Sequence, residues 1–209
     1  MSWQPLLDGV ILSAGLIIAI GAQNAFVIRQ GVSGQHLLPM ALTCVSCDLL
    51  LISIGALGVG EFIAASASLR MGLVLVGIAF LGWYGVTSWI RAIRGSRNPL
   101  ADSTEVEPQK MGKVVLLAIG FSLLNPHAIV DTVVLIGGLA SQYVDRVERL
   151  IFTIGAGLVS LVWLFGLTYG ARLLQNVFKK PLTARIFDGT VGAIMFWLMG
   201  SLAISEFFS

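Results

Sequence analysis

Six long apolar stretches are the feature of this sequence that most restricts its fold. Four of them contain no charged residue and no histidine, and the other two are interrupted only by Asp48 or by His127 and Asp131. The stretches cover residues 9–28, 37–60, 71–90, 114–144, 150–171 and 189–205. Each can supply the roughly 17–25 helical residues that cross the hydrocarbon core of a bilayer. Charged residues make up only 11% of the chain, against about 25% in soluble domains, so a soluble enzyme, a nucleic-acid binder and a disulfide scaffold are excluded.

We therefore predict an all-α polytopic membrane protein with six transmembrane helices. The expected spans are approximately residues 6–28, 37–59, 71–90, 114–137, 150–171 and 187–207. A polar segment, 91–113, contains turn-forming and charged residues and separates a first half, 1–90, from a second half, 114–209. Because each half has three spans, the second enters the membrane from the opposite side, as in the inverted repeats of many transporters.

The distribution of basic residues predicts the orientation. Ten of the 13 lysines and arginines fall in the first, third and fifth connections between spans, and three fall on the other side. Since basic residues accumulate in cytoplasmic loops, we expect the linker 91–113 in the cytoplasm and both termini outside. The N-terminal segment lacks the basic region and cleavage site of a secretory signal, so the first span is expected to remain in the protein.

Two of the predicted spans contain a helix break beside an asparagine. In the fourth span Pro126 follows Asn125 and removes a backbone hydrogen bond that lipid cannot replace. In the first span Gly21 is followed closely by Asn24. Such breaks are tolerated where they face protein or a water-filled cavity, and the N–H groups they expose suit a carboxylate ligand. We therefore predict that Asn24 and Asn125 contact the substrate; hydrogen bonding between helices is the alternative.

Ionisable side chains at membrane depth give the strongest functional signal. Asp48 lies about eleven residues into its apolar stretch, and no lysine or arginine lies at that depth in another span. Burying an aspartate there costs roughly 2.5–3.5 kcal/mol on insertion scales, so such residues usually serve a function. Asp131 lies one helical turn after His127 and shares its face. We predict a second functional carboxylate at Asp131, oriented or tuned by His127; a structural hydrogen bond between them is the alternative.

Other polar and reactive residues carry weaker signals. For Gln23 the sequence does not decide between substrate contact and hydrogen bonding between helices. Trp163 lies in mid-span, where core packing is favoured over lining a pathway. Cys44 and Cys47 form a C-x-x-C pattern, interpreted as small apolar packing residues, with a membrane thiol-redox protein as the alternative. No lysine-containing phosphate loop, zinc-protease motif or catalytic dyad occurs, so neither enzyme activity, cofactor nor resident metal is expected.

Two motifs, with Asp48 between them, resemble those of the LysE/ArgO family of bacterial basic amino-acid exporters. They are GAQNAFVIRQG at residues 21–31 and LNPHAIVD at residues 124–131. The resemblance extends over nearly the whole chain, although Ala22 stands where the family usually has proline. It implies a carrier in the bacterial cytoplasmic (inner) membrane that exports L-lysine or L-arginine, energised by the proton motive force. Its partners would be the basic amino acid, protons and lipid, and a homodimer is compatible with so small a bundle.

The charges of such a substrate suggest which predicted residue would bind which of its charged groups. Asp48 and Asp131 would attract the cationic side chain, and Asn24, Asn125 and the opened helix ends would hold the carboxylate. We expect Asp48 to bind the substrate cation and Asp131 to carry the coupling proton, although the two roles can be exchanged. A divalent-metal exporter of a related six-span type is the alternative within transport, because carboxylates and asparagines also suit a hard cation.

Overall fold

A computed structural model of the chain describes residues 3–18, 21–57, 67–94, 109–124, 129, 131–178 and 180–207. Every regular element in these ranges is a helix, which confirms the predicted all-α class. The elements are α1 (Gln4–Ile17), α2 (Ala22–Ser33), α3 (Leu37–Ala56), α4 (Ala67–Arg94), α5 (Met111–Leu123), a π-helix (Asp131–Ile136), α6 (Gly137–Ala140), α7 (Arg146–Leu173), α8 (Gln175–Phe178) and α9 (Pro181–Phe207).

Four helices are long and apolar enough to cross a membrane. They are α3, α4, α7 and α9, and their most apolar windows have mean hydropathies between 1.3 and 2.2. They overlap the second, third, fifth and sixth predicted spans. In α4, α7 and α9 only 28–33% of that window is buried inside the protein. Their large outward-facing apolar surface is suited to lipid and would not be tolerated in water.

The first predicted span falls on two helices with a sharp bend between them. Helices α1 and α2 are together long and apolar enough for one span, but their axes diverge by 77°, so the pair is a broken span or a re-entrant loop. Gly21 precedes α2 with an extended backbone (φ −106°, ψ −175°), so the helical hydrogen-bond ladder starts anew at Ala22. This gives up to five spans in the described ranges.

The fourth predicted span, 114–137, has a different local structure from a continuous α-helix. Its first part is α5, which is only 13 residues long. Its last part is the six-residue π-helix, which packs against α3. Pro126, the expected break in this span, lies outside the described residues. The π-helix is a finding that apolar patterning could not predict, and such segments are frequent at functional sites.

Helix α2 occupies the centre of the bundle. Eight of its 12 residues are buried, and it packs against α5 and α7. Phe26 stacks on Phe121 of α5 with ring centroids 4.9 Å apart, and Tyr84 of α4 meets the edge of that ring at 4.5 Å. Helices α4 and α9 pack along each other beside this core. The polar residues of α2 therefore point into protein and not into lipid.

Two helix crossings bring backbones into direct contact. At the α1–α7 crossing a methyl group on Gly9 or Gly155 would collide with a carbonyl of the opposite helix. At the crossing of α3 with the π-helix, a methyl group on Gly55 would lie 3.1 Å from the Val133 backbone. Small residues allow such close approach, which is the usual basis of helix association in membranes.

Candidate functional site

The carboxylate of Asp48 lies in the fourth turn of α3 and is held by two neutral donors. Gln23 of α2 donates from Nε2 to Oδ1 at 3.0 Å, and Ser160 of α7 donates from Oγ to Oδ2 at 2.6 Å. Asp48 is partly buried. In the ranges that the structure describes, arginine forms its ion pairs with Asp188, and no cation pairs with Asp48. A carboxylate with satisfied hydrogen bonds but no countercharge is thus the centre of the site.

A second bond from Gln23 extends this arrangement to α5. The same Nε2 atom donates to Ser122 Oγ at 3.0 Å. Gln23, Asp48, Ser122 and Ser160 therefore form one polar cluster, which we call the Asp48 cluster, with one residue each from α2, α3, α5 and α7. Both serines are buried, Ser160 completely. Helices α2 and α7 thus contact the Asp48 carboxylate directly, and α5 joins the cluster through Gln23.

Sequence reasoning missed most of this cluster. It predicted Asp48, left Gln23 undecided and did not single out the two serines. The only signal for Ser122 and Ser160 is that each is a hydroxyl within an apolar span, and a hydroxyl in that position is common in packed membrane helices. Their role depends on contacts between residues 99 and 112 positions apart, which no local pattern contains.

The structure places Asn24 at the break between α1 and α2. Its Nδ2 donates to the Ile17 carbonyl at 2.9 Å, and its Oδ1 accepts from Trp163 Nε1 at 3.3 Å. The side chain is buried and joins the last turn of α1 to α7. Trp163, expected to pack in the core, also contributes a polar contact. In this conformation the Asn24 amide stabilises the bend beside the Asp48 cluster.

The remaining predicted site residues lie in or beside the fourth span. Asn125, Pro126 and His127 fall outside the described residues. Asp131 is the first residue of the π-helix, but its side chain is likewise not described. The π-helix itself packs on α3, the helix that carries Asp48. The backbone thus brings the segment beginning at Asp131 against the helix of the first aspartate.

The same structure bears on the two alternative functions, a thiol-redox protein and a metal exporter. Cys44 and Cys47 are both free and buried in α3, where a thiol pair has poor access to a redox partner. In the described part of the chain, no three side chains of His, Cys, Asp or Glu form a group able to hold a metal ion.

A cavity of about 690 Å³ lies between α1, α2 and α7, and none of the four residues of the Asp48 cluster lines it. Its wall is almost entirely apolar and includes Val10, Ile28, Val162 and Leu174. Such a wall offers no countercharge, so it does not suit a charged solute. The Asp48 cluster, and not this cavity, is therefore the candidate functional site.

Comparison with known proteins gives consistent results. Residues 14–206 match the model of a family described as LysE type translocator. A putative amino-acid transporter, YggA, of Aeromonas salmonicida is 40% identical over 202 residues, covering 94% of each chain. The arginine exporter protein ArgO of Pectobacterium atrosepticum is 35% identical over 202 residues, covering 96% of this chain and 97% of that protein. No solved structure matches.

Proposed function

Since the chain belongs to the LysE type translocator family, we propose that it exports L-arginine, L-lysine or both from the cytoplasm in exchange for protons. The family and the membrane-spanning helices make it a multi-pass membrane protein of amino-acid transport. The finer proposal rests on one observation: Asp48 is a carboxylate at membrane depth, and its hydrogen-bond donors in the described part of the chain are neutral. Its negative charge is available to a transported cation.

The energetics of burial support this role for Asp48. Gln23 and Ser160 each donate one hydrogen bond to it, and no cation among the described residues compensates its charge. A buried charge without a partner is costly, and the penalty is reduced when a cation or a proton arrives. A basic side chain and a proton would therefore compete for the same carboxylate, which is the minimum requirement for exchange.

The start of α2 offers a complementary place for the substrate's carboxylate. Helix N-termini present unpaired N–H groups and a partial positive charge, which favour anions. The α2 terminus at Ala22 adjoins Gln23 and hence Asp48. We propose that it holds the substrate carboxylate together with Asn24 and Asn125. The cation would then lie at Asp48, one turn away.

Coupling to protons follows from the charge of the substrate. Exporting one positive charge against an inside-negative potential costs about 2.3 kcal/mol per 100 mV, and one inward proton cancels that charge movement. We propose that Asp131, assisted by His127, carries this proton while Asp48 carries the substrate. The packing of the π-helix on α3 supports this pairing, because it joins the backbone segments of the two aspartates.

The basic end of the bundle is proposed to face the cytoplasm. Gln109, just before α5, donates its backbone N–H to the Gln35 side chain, just before α3, at 2.9 Å. The C-terminal end of α4 meets the beginning of α9 through Arg91 and Asp188. The loops and helix ends gathered here carry most of the lysines and arginines, which accumulate on the cytoplasmic side. Reporter enzymes fused to each terminus would test the orientation, since both termini are expected outside.

Efflux from preloaded cells tests the proposed function. The cells carry labelled arginine, lysine, a neutral amino acid or Mn²⁺, and efflux is followed with and without an uncoupler. Protein-dependent loss of the basic amino acids alone, abolished by the uncoupler, is expected. Export of Mn²⁺ would favour the metal alternative, and uncoupler-resistant export of arginine would refute proton exchange. Asp145→Asn is the matched control for aspartate variants, because Asp145 is exposed and asparagine also caps a helix N-terminus.

A further inference from the structure

A second buried carboxylate lies between two arginines near the basic end of the bundle. Asp188 of α9 accepts a hydrogen bond from Arg29 Nη1 of α2, and Arg91 Nε of α4 lies 3.6 Å from the same oxygen, Oδ1. The Asp188 side chain is only 5% exposed, whereas those of Arg29 and Arg91 are 29% and 28% exposed. We call these three residues the charged triad.

The triad contains one more cation than its carboxylate requires. Arg29 alone neutralises Asp188 and donates a hydrogen bond to it. Arg91 is held mainly by other groups, since its Nη2 donates to Ser88 Oγ at 2.6 Å and its guanidinium lies over the Tyr84 ring at 5.4 Å. Its buried Nε has no hydrogen-bond partner among the residues that the structure describes. An ion pair that only stabilises the fold would explain Arg29 here, but it would not explain Arg91.

Helix α2 connects the triad to the Asp48 cluster. Gln23, in the first turn of α2, contacts Asp48, and Arg29, six residues later, contacts Asp188. At 1.5 Å per residue these contacts are about 9 Å apart along the helix axis. The triad is nearer to the basic end, where α2 and α4 finish and α9 begins. A solute entering from that end would meet Asp188 before Asp48.

We propose that Asp188 is a second substrate-binding carboxylate, an entry site at which the basic side chain of the substrate replaces an arginine of the protein. This inference rests on the proposed export of basic amino acids. Arg29 and Arg91 present to Asp188 the same guanidinium group that arginine would bring. The exchange therefore conserves the charge around a buried carboxylate, and it avoids exposing that carboxylate unpaired during entry. Arg91, which has only a long contact with Asp188, is the arginine that competes with the substrate. Arg29 fixes the carboxylate in position.

A double variant in which the charges of Arg29 and Asp188 are swapped distinguishes a substrate-binding role of Asp188 from a purely structural ion pair. The double variant Arg29→Asp/Asp188→Arg keeps two arginines and one aspartate in the triad, whereas Asp188→Asn removes the carboxylate. Thermal stability is measured on the purified protein, and KM for arginine is measured in proteoliposomes. We expect the double variant to be more stable than Asp188→Asn but to have a KM at least about tenfold above wild type, the effect of one lost ion pair. Wild-type KM in the double variant would overturn the proposal.

A single substitution gives a second test that does not depend on the exchanged pair folding. Arg91→Gln removes the competing guanidinium, so KM for arginine should fall by about two- to fivefold, the range of a partly exposed ion pair. Arg94→Gln, an exposed arginine one turn later, is the matched control and should leave KM unchanged. An unchanged or higher KM in Arg91→Gln would refute competition at Asp188. Failure of wild-type protein to export arginine or lysine would instead refute the proposed function itself.

Discussion

Replacing Asp48 by asparagine should abolish high-affinity export while leaving the fold intact. The substitution removes the charge but hardly changes the shape of the side chain. The new Oδ1 can accept from Gln23 as the carboxylate does, and the new amide can donate to Ser160, whose hydroxyl can act as donor or acceptor. Both hydrogen bonds to the side chain at position 48 can therefore be retained.

The expected stability change is small because two effects oppose each other. Hydrogen bonds to charged groups contribute about 1.5–3 kcal/mol and neutral ones about 0.5–1.5 kcal/mol, so weakening two bonds costs roughly 2–3 kcal/mol. Removing the charge recovers part of the roughly 2.5–3.5 kcal/mol needed to place an aspartate at membrane depth. The free energy of unfolding should therefore change by less than about 2 kcal/mol.

The expected loss of affinity is larger. Removing one partner of a buried charge pair costs about 2–5 kcal/mol, and about 1.4 kcal/mol corresponds to a tenfold change. KM for arginine should rise about 30-fold or more. Efflux from proteoliposomes loaded with labelled arginine measures KM, and thermal unfolding in detergent measures stability, with Asp145→Asn as control. A variant with lowered stability and wild-type KM would show that Asp48 serves packing alone, contrary to this reasoning.

Two further predictions concern the α1–α7 crossing and the Tyr143–Asp8 hydrogen bond beside it. Gly155→Ala places a methyl group against a carbonyl of α1 and should lower stability by about 1–3 kcal/mol in thermal unfolding, whereas Gly166→Ala, with open space around it, should not; equal effects would contradict the close packing. The pKa of Tyr143 is raised to about 12, chiefly because its hydroxyl donates to the Asp8 carboxylate at 2.5 Å. This bond should stabilise the fold below about pH 10, the ordinary pKa of tyrosine, and the stabilisation should be lost as pH rises through about 12. Ultraviolet titration should find a tyrosinate component near pH 12 that Tyr143→Phe lacks, and retention of that component in the variant would contradict the assignment.

The sequence predicted Asp48, the centre of the candidate site, because charged residues are rare within membrane-spanning stretches. Placing an aspartate within a long apolar stretch costs free energy, so Asp48 can be selected as a functional residue without structural information. The hydrogen-bond partners of Asp48 give no such signal in the sequence. Gln23 and Ser160 become important only through contacts 25 and 112 positions away, and polar neutral residues within apolar helices are too common to select one.

The charged triad was missed for a different reason. Counting basic residues between spans treats every arginine as a solvated loop charge that sets orientation. Arg29 and Arg91 instead lie within α2 and α4 and direct their guanidinium groups towards a buried carboxylate. Asp188 stands just before an apolar stretch, where it looked like the edge of a span. Only the packing of α9 against α4 and α2 brings the three together.

The pattern of helix contacts links the Asp48 cluster to the proposed inverted repeat. If the second half repeats the first, spans one, two and three correspond to spans four, five and six. The α1–α7 contact then joins spans one and five, and its counterpart is the contact of spans four and two, between the π-helix and α3. Both crossings have a glycine in backbone contact, Gly155 in the former and Gly55 in the latter.

The same correspondence, if it holds, would explain why the Asp48 cluster is formed by α2, α3, α5 and α7 and not by α4 and α9. In two inverted halves, spans one, two, four and five surround the axis that relates them. Spans three and six pack on each other, as α4 and α9 do. A substrate at Asp48 would therefore lie where the halves meet. Rocking one half against the other would open that position to alternate sides of the membrane, and the charged triad, which joins α2 to the α4–α9 pair, would have to separate in one of those states.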